Sequence, residues 1–412
     1  MAIIKPFAAL RPKLGYAGLI SAPPFDVLNS DEAREMAKGN PYSFLRVSKP
    51  EIDLDPSIDI YDERVYAKAA ENLKWLADRV MLRDSKPCLY IYRLTMNGAG
   101  RTGLVMSAAV DEYLSGAIKK HELTREDKER DRTRHMDAVN ANAEPVFLAY
   151  RHRDNPAIKD SIAAFASNNE PAYDFVSGDN IRHQLWVVDP DEYITRLTEE
   201  FKVLPAMYIA DGHHRSASAA NLALSRRQGG ANPEAEFNFT LSVVFPDTEL
   251  SIMDYNRVVK DLNGLTADEL LARISAEFDV HPSETPVRPS KPNEFGMYLD
   301  KKWRRLELKE TVKISGTRTD ALDVSILQNT ILAPILGIGD PRADKRIDFV
   351  GGIRGLSELE KRVDSGEMAL AFSLFPTSME QLMAISDAGE IMPPKSTWFE
   401  PKLRSGLFVH LF

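Results

Sequence analysis

Tyr208-Ile209-Ala210-Asp211-Gly212-His213-His214-Arg215-Ser216-Ala217 joins a short apolar run to a helix-forming run through an Asp-Gly turn. The apolar run reads as a buried strand, and Ser216 to Ser225 reads as a helix. Strand, turn and helix in that order predict a mixed α/β fold with chemistry at the turn. A helix start offers unpaired backbone N–H groups and the positive end of the helix dipole, so it holds an anion, above all phosphate, at little cost. Arg215 in the first turn would add a two-pronged partner for that anion, so its loss is expected to weaken phosphate binding and leave the fold intact. Asp-Gly is also a common turn, and Asp211 could simply cap the helix. Two adjacent histidines beside an Asp and an Arg are nevertheless an unusual set for a purely structural turn. Neighbouring histidines point in different directions, so a zinc site here would need ligands from elsewhere in the chain.

The 412 residues, 43% hydrophobic and 27% charged, have ordinary globular composition and exceed the usual size of one domain. A formal charge of −9 argues against a general nucleic-acid or anionic-membrane binder and leaves small anionic ligands open. The lone cysteine, Cys88, suits a reducing compartment, and neither a signal peptide nor a long apolar run is visible, so a cytoplasmic protein is expected. Homo-oligomers remain open.

Along the chain, the spacing of Val65, Ala69, Leu73, Leu76 and Val80 predicts a helix over 62–82. Residues 88–94 read as a strand, Asn97-Gly98-Ala99-Gly100 as a hairpin turn, and 102–113 as its returning strand. Thr124-Arg125-Glu126-Asp127 resembles a capping box opening a charged, solvated helix that reaches about Asn142. Further strands are expected at 146–150, 184–188 and 238–245, with a helix at 192–201. From Thr266 the character changes, and a small lobe is expected between 265 and 316. It separates a main α/β domain over 1–264 from a C-terminal α/β segment over 317–412. In that last segment 323–336 and 356–363 read as helices, and 346–350 and 368–374 as strands.

Two other stretches carry chemistry. Lys120-His121-Glu122-Leu123-Thr124 sets a cation, a general base and an acid before a helix, where a hydroxyl could be activated; a solvated helix entrance is the bland alternative. Residues 392–406 present Lys395, Ser396, Thr397, Lys402 and Arg404 on a chain stiffened by prolines, which suits phosphate or carboxylate. Arg346 to Gly352 ends in Gly-Gly, yet neither G-x-G-x-x-G nor G-x-x-x-x-G-K-[ST] occurs, so Rossmann and Walker mechanisms lack motif support.

Five ordered blocks, Pro23 to Asp26, Lys120 to Thr124, Ile209 to Arg215, Arg346 to Gly352 and Pro393 to Gly406, resemble the bacterial and archaeal family called domain of unknown function 1015. Asp211-Gly212-His213-His214-Arg215 is also similar to the Asp-Gly-His-His-Arg motif of free serine kinases in the ParB and sulfiredoxin-like superfamily. That second resemblance implies a ParB/sulfiredoxin-like nucleotide-binding core, here embedded in a larger mixed-sheet architecture. It also implies that Asp211 to Arg215, with Ser216, hold nucleotide phosphates, and that Asp211 holds Mg2+. An acidic residue activates the serine hydroxyl in those kinases, and Glu122 is the candidate here.

The expected function is phosphoryl transfer to a small hydroxy or amino acid, with serine leading, using ATP or ADP and Mg2+. His121 or Glu122 would take the hydroxyl proton, and His213 or His214 would orient phosphates. Lys120, Lys395, Ser396, Thr397, Lys402 and Arg404 would contact substrate. A phosphatase of phosphoserine or a similar metabolite would use the same parts, and so would a nucleotide-gated binding protein without turnover.

Overall fold

The computed structural model describes residues 3–230, 232–314 and 316–412, which form a mixed α/β protein. The chain divides into two compact units, one over 1–250 and 401–412, the other over 251–400.

In the first unit the strands of the main sheet are β1 (Ile4–Lys5), β2 (Leu89–Met96), β3 (Ala99–Ala109), β4 (Ile118–Lys119), β5 (Val146–Tyr150), β6 (Tyr173–Val176), β7 (Arg182–Val188), β8 (Met207–Asp211) and β9 (Phe239–Pro246). Among the described residues they make one nine-stranded sheet in the order β4-β8-β5-β9-β3-β2-β7-β6, with β1 also paired to β3. The β8/β4 and β9/β5 pairs run parallel and the others antiparallel. The β2–β3 hairpin turns on Asn97 and Gly98, whose φ of 51° and 80° suit the two central residues of a turn that follows the strand twist.

The longest helices of this unit are α1 (Glu63–Arg79), α2 (Glu126–Val139), α3 (Ala157–Asn168), α4 (Asp191–Lys202) and α5 (His213–Arg227). Ile162 and Phe165 of α3 and Leu197 and Phe201 of α4 are buried with Ile91, Leu148 and Ile209 of the sheet in one apolar core. A second core gathers Ala69, Leu73 and Leu76 of α1 with Phe44 and Val409. The Asp62 carboxylate accepts the Arg64 amide at 2.9 Å and so starts α1.

The second unit is built on an antiparallel six-stranded sheet of β10 (Tyr255–Val259), β11 (Phe278–Ser283), β12 (Glu294–Leu299), β13 (Lys302–Leu308), β14 (Ile347–Gly351) and β15 (Leu370–Leu374), in the order β11-β13-β12-β15-β10-β14. The strands between 265 and 316 therefore share a sheet with strands before and after them. Thr266 with Glu269 and Ser378 with Gln381 form reciprocal caps on helices Ala267–Ile274 and Met379–Asp387.

Several elements depart from the sequence-based expectation. The chain turns into a short helix, Val110–Ser115, where a continued strand is expected, and Gly116 at φ 82° ends it. The capping box expected at Thr124 is absent, because its hydroxyl donates to the Glu129 carboxylate and Arg125 occupies the cap position. Helix α2 is more than a solvated face: Asp131, Arg132, His135, Met136 and Val139 are buried. The expected helix over 323–336 is an α-helical turn, Asp323–Leu327, followed by a π-helical one, Gln328–Leu332. No helix among the described residues is long and apolar enough to cross a membrane.

Candidate functional site

Four of the five residues of β8 are buried, and the fifth, Asp211, emerges where the strand ends. The register against β5 shifts between Ile209 and Asp211, an irregularity of the kind that re-aims a side chain at a sheet edge. Gly212 then takes φ 99° and ψ 32°, and α5 begins at His213, three residues before the position expected from sequence. Gly212, not Asp211, is the cap residue, and no side chain caps this helix. A Cβ on Gly212 would lie 3.1 Å from the guanidinium carbon of Arg215, so glycine serves both the backbone conformation and the close approach.

The Asp211 carboxylate, 26% exposed, accepts from the Lys402 ammonium at 3.1 Å and lies 3.5 Å from the Arg215 guanidinium. Burial alone would raise its pKa, but Lys402 and then Arg215 outweigh burial and hold the carboxyl well below the usual range, so Asp211 is ionised. Arg215 is only 3% exposed. One of its terminal nitrogens donates to the Pro145 carbonyl, and the other sits 3.7 Å from the Asp26 carboxylate. Glu144, also buried, accepts from the Phe25 amide at 3.2 Å and the Ser405 hydroxyl at 3.3 Å; burial pushes its carboxyl up while Arg132 and Arg215 pull it down. Arg215 thus stands among three carboxylates.

Strand pairing explains how the 120s reach this turn. Because β4 runs parallel beside Met207 and Tyr208, the chain leaving it carries His121 and Glu122 alongside the end of β8. The rings of His121 and His213 meet edge to face at 4.4 Å. The His121 amide lies 3.5 Å from His213 Nε2, and His213 Nδ1 lies 3.6 Å from Glu122 Oε2. Burial pushes both imidazoles down, His121 to about 4 and His213 well below its ordinary value, so both are neutral. His214 turns the other way and its Nε2 accepts the Arg125 amide at 3.1 Å, which pins the start of α2 to α5. Burial lowers its pKa too.

The other candidates fall in different places. Ser216 is buried and its hydroxyl donates to the Gly212 carbonyl at 3.2 Å. Lys120 is exposed, its ammonium 5.8 Å from the Tyr113 ring. Lys402 is brought to Asp211, whereas Arg404 is buried and donates to Ser177 at 3.2 Å and to Asp179. Lys395, Ser396 and Thr397 lie in the second unit: Lys395 is exposed at φ 58°, and the buried Ser396 hydroxyl donates to the Pro393 carbonyl at 2.6 Å. Asp26 and Glu144 are the residues that sequence reasoning misses. Asp26 does lie in the stiff Pro23-Pro24-Phe25 block, while Glu144 carries no local signal beyond preceding a buried strand.

The family described as protein of unknown function (DUF1015) matches residues 4–325. No curated protein matches the sequence. Among solved structures, a conserved hypothetical protein from Pyrococcus furiosus is similar at 15% identity over 74% of this chain and 94% of that one, with a TM-score of 0.35. A free serine kinase in complex with AMP is similar at 13% identity, 74% and 91% coverage and a TM-score of 0.36. SbnI with a C-terminal truncation, from Staphylococcus aureus, is similar at 12% identity, 74% and 87% coverage and a TM-score of 0.40.

Proposed function

The chain belongs to the DUF1015 family, whose description names no activity, and from the geometry of the turn we propose that it transfers a phosphoryl group between a nucleotide and the hydroxyl of a small hydroxy or amino acid, serine first. The observation that carries this reading is the Asp211–Lys402 pair at the entrance to α5. A phosphate set there meets the unpaired amides of the first helical turn and a lysine already held in place by an ionised carboxylate. Phosphoryl transfer asks a protein for positioning and charge neutralisation above all, and these groups supply both.

Mg2+ fits Asp211, an ionised and partly open oxygen donor, and when bound would neutralise charge on the phosphates. Glu122 is the proton acceptor this reading favours over His121. It is 38% exposed, so a substrate hydroxyl can reach it, whereas His121 is 2% exposed. His213 then orients Glu122, and His214 holds the 120–125 segment against the helix. Arg215 acts from beneath, fixing the turn through Pro145, Asp26 and Asp211. A reducing, cytoplasmic setting suits a chain whose one cysteine, Cys88, is buried with its thiol pushed up to about 11.

A phosphorus NMR time course with Mg2+, ATP or ADP and L-serine tests the reading. Nucleotide-dependent appearance of phosphoserine is expected, with Glu122→Gln lowering kcat by about a hundredfold or more at little change in KM. Loss of added phosphoserine to free phosphate would make the enzyme a phosphatase. Unchanged spectra together with a nucleotide-raised Tm would make it a binding protein.

A further inference from the structure

We propose that His121, Glu122 and His213 form a binding site for one first-row transition-metal dication, distinct in chemistry from any Mg2+ carried by Asp211. Each of the three residues offers a ligand atom, and these atoms all lie within 4.8 Å of one another. Two imidazoles and a carboxylate are a nitrogen-rich donor set that suits Zn2+, Fe2+ or Co2+ and does not suit Mg2+, which asks for oxygen.

The second observation is the state of His121. Its ring is buried, and neither nitrogen makes a well-formed hydrogen bond among the described residues; the Ile209 backbone and Asp211 favour its charged form, but burial outweighs both. A buried imidazole without a well-formed hydrogen bond has lost its water for little in return, and a metal ion would supply the missing interaction. Ligation through His213 Nδ1 would move the ring proton to Nε2 and give up the contact to the His121 amide, which at 3.5 Å is at the long limit of a hydrogen bond.

The exposure of the triad shapes what such an ion could do. Both histidines are buried, and Glu122 is the open member, so three protein ligands leave the solvent side free for a water or a substrate oxygen. That is the arrangement of a reactive site, since structural zinc is closed by four protein ligands. The triad lies next to Asp211, on the same turn as His213, so an oxygen held by the ion would stand beside the proposed phosphate position.

The inference concerns metal binding itself and is read without nucleotide, so its failure leaves the phosphoryl-transfer reading standing, and the reverse. The full-length protein, stripped with EDTA, is titrated with Co2+ in the presence of excess Mg2+ while visible absorption is followed. The expected result is about one tightly held Co2+ with ligand-field bands, displaced by Zn2+ and not by Mg2+. Glu122→Gln, on the most open of the three side chains, is expected to keep the fold and weaken binding at least tenfold, the scale on which even outer-shell changes act. His121→Ala is expected to abolish the bands; where it fails to fold, Glu122→Gln carries the test. Folded protein that takes up no Co2+ overturns the proposal. So does uptake that Glu122→Gln leaves unchanged, which assigns the ion to exposed histidines such as His281.

Discussion

The Lys402 ammonium lies 3.1 Å from the Asp211 carboxylate although 191 residues separate the two in sequence. The last twelve residues return to the first unit, where Ser405 pairs with Ala22, Val409 with Leu10, and His410 and Leu411 with 141–142. Backbone pairing of the residues that follow Lys402 thus fixes the segment that carries it beside Asp211.

Lys402→Met is expected to lower stability at neutral pH by about 1–3 kcal/mol, between the cost of breaking a surface pair and a buried one. The sign of the pH dependence follows from Asp211, whose pKa is held below the ordinary value of 3.8 in the folded state. Stabilisation from a depressed carboxyl is fully present above its unfolded value and is lost as pH falls through the folded one. Urea midpoints for the native and Lys402→Met proteins should therefore converge in acid below about pH 4. A gap that stays constant down to pH 3 would show that Lys402 acts through packing of its stem.

Gly212→Ala is expected to cost about 1–3 kcal/mol, since the residue adopts φ 99° and its new methyl would press on the Arg215 guanidinium. Nucleotide affinity should fall with stability, because the same turn aims the first amides of α5. Denaturant unfolding followed beside a thermal-shift titration with ADP checks both, and an unchanged midpoint would place the turn's strain elsewhere.

Local signals explain which parts of the fold are legible in sequence. Asn97-Gly98 is a turn chemistry that few other conformations accept, and the apolar stripe of Val65, Ala69, Leu73 and Leu76 has one helical face. The run from Met207 to Arg215 reads correctly as strand, turn and helix for the same reason: its polarity changes abruptly at Asp211. Competition between equally good local partners is what defeats the reading at Thr124, whose hydroxyl finds Glu129 instead of the helix amides. The ring contact of His121 with His213 depends on parallel pairing of a two-residue strand, which no periodicity can reveal. Asp26 and Glu144 are missed for a related cause, since the partners that give them a role, Arg215 for both and Phe25 and Ser405 for Glu144, lie far from them along the chain.

Arg215→Ala is expected to act on folding before it acts on ligand. The sequence pattern suggests an exposed anion clamp whose loss spares the fold, but the guanidinium is buried, donates to the Pro145 carbonyl and is the shared cation of Asp26, Asp211 and Glu144. Removing it leaves carboxylates facing one another with less compensation, at a cost of about 3–5 kcal/mol. Calorimetry should show a large fall in Tm. A variant that melts like the native protein and yet loses nucleotide binding would restore the clamp role.

Acid sensitivity should begin well above the carboxylate range because of two buried histidines outside the site. His135 Nε2 donates to the Val47 carbonyl at 2.8 Å, and burial, aided by Arg132, pushes its pKa down to about 4. His183 lies between the rings of Phe175 and Tyr92, and burial together with Arg404 pushes it down to about 3. Both are neutral when folded and take a proton on unfolding near the ordinary value of 6.5. The unfolded chain then binds more protons than the native one, so stability is full above about pH 6.5 and falls as pH drops towards 4. Each histidine contributes a slope of roughly 1 kcal/mol per pH unit across that window. Unfolding free energies at pH 7, 6 and 5, with imidazole NMR shifts followed in parallel, decide the matter. Flat stability over this range, or rings that titrate near 6.5 in the native protein, would mean that water reaches both histidines.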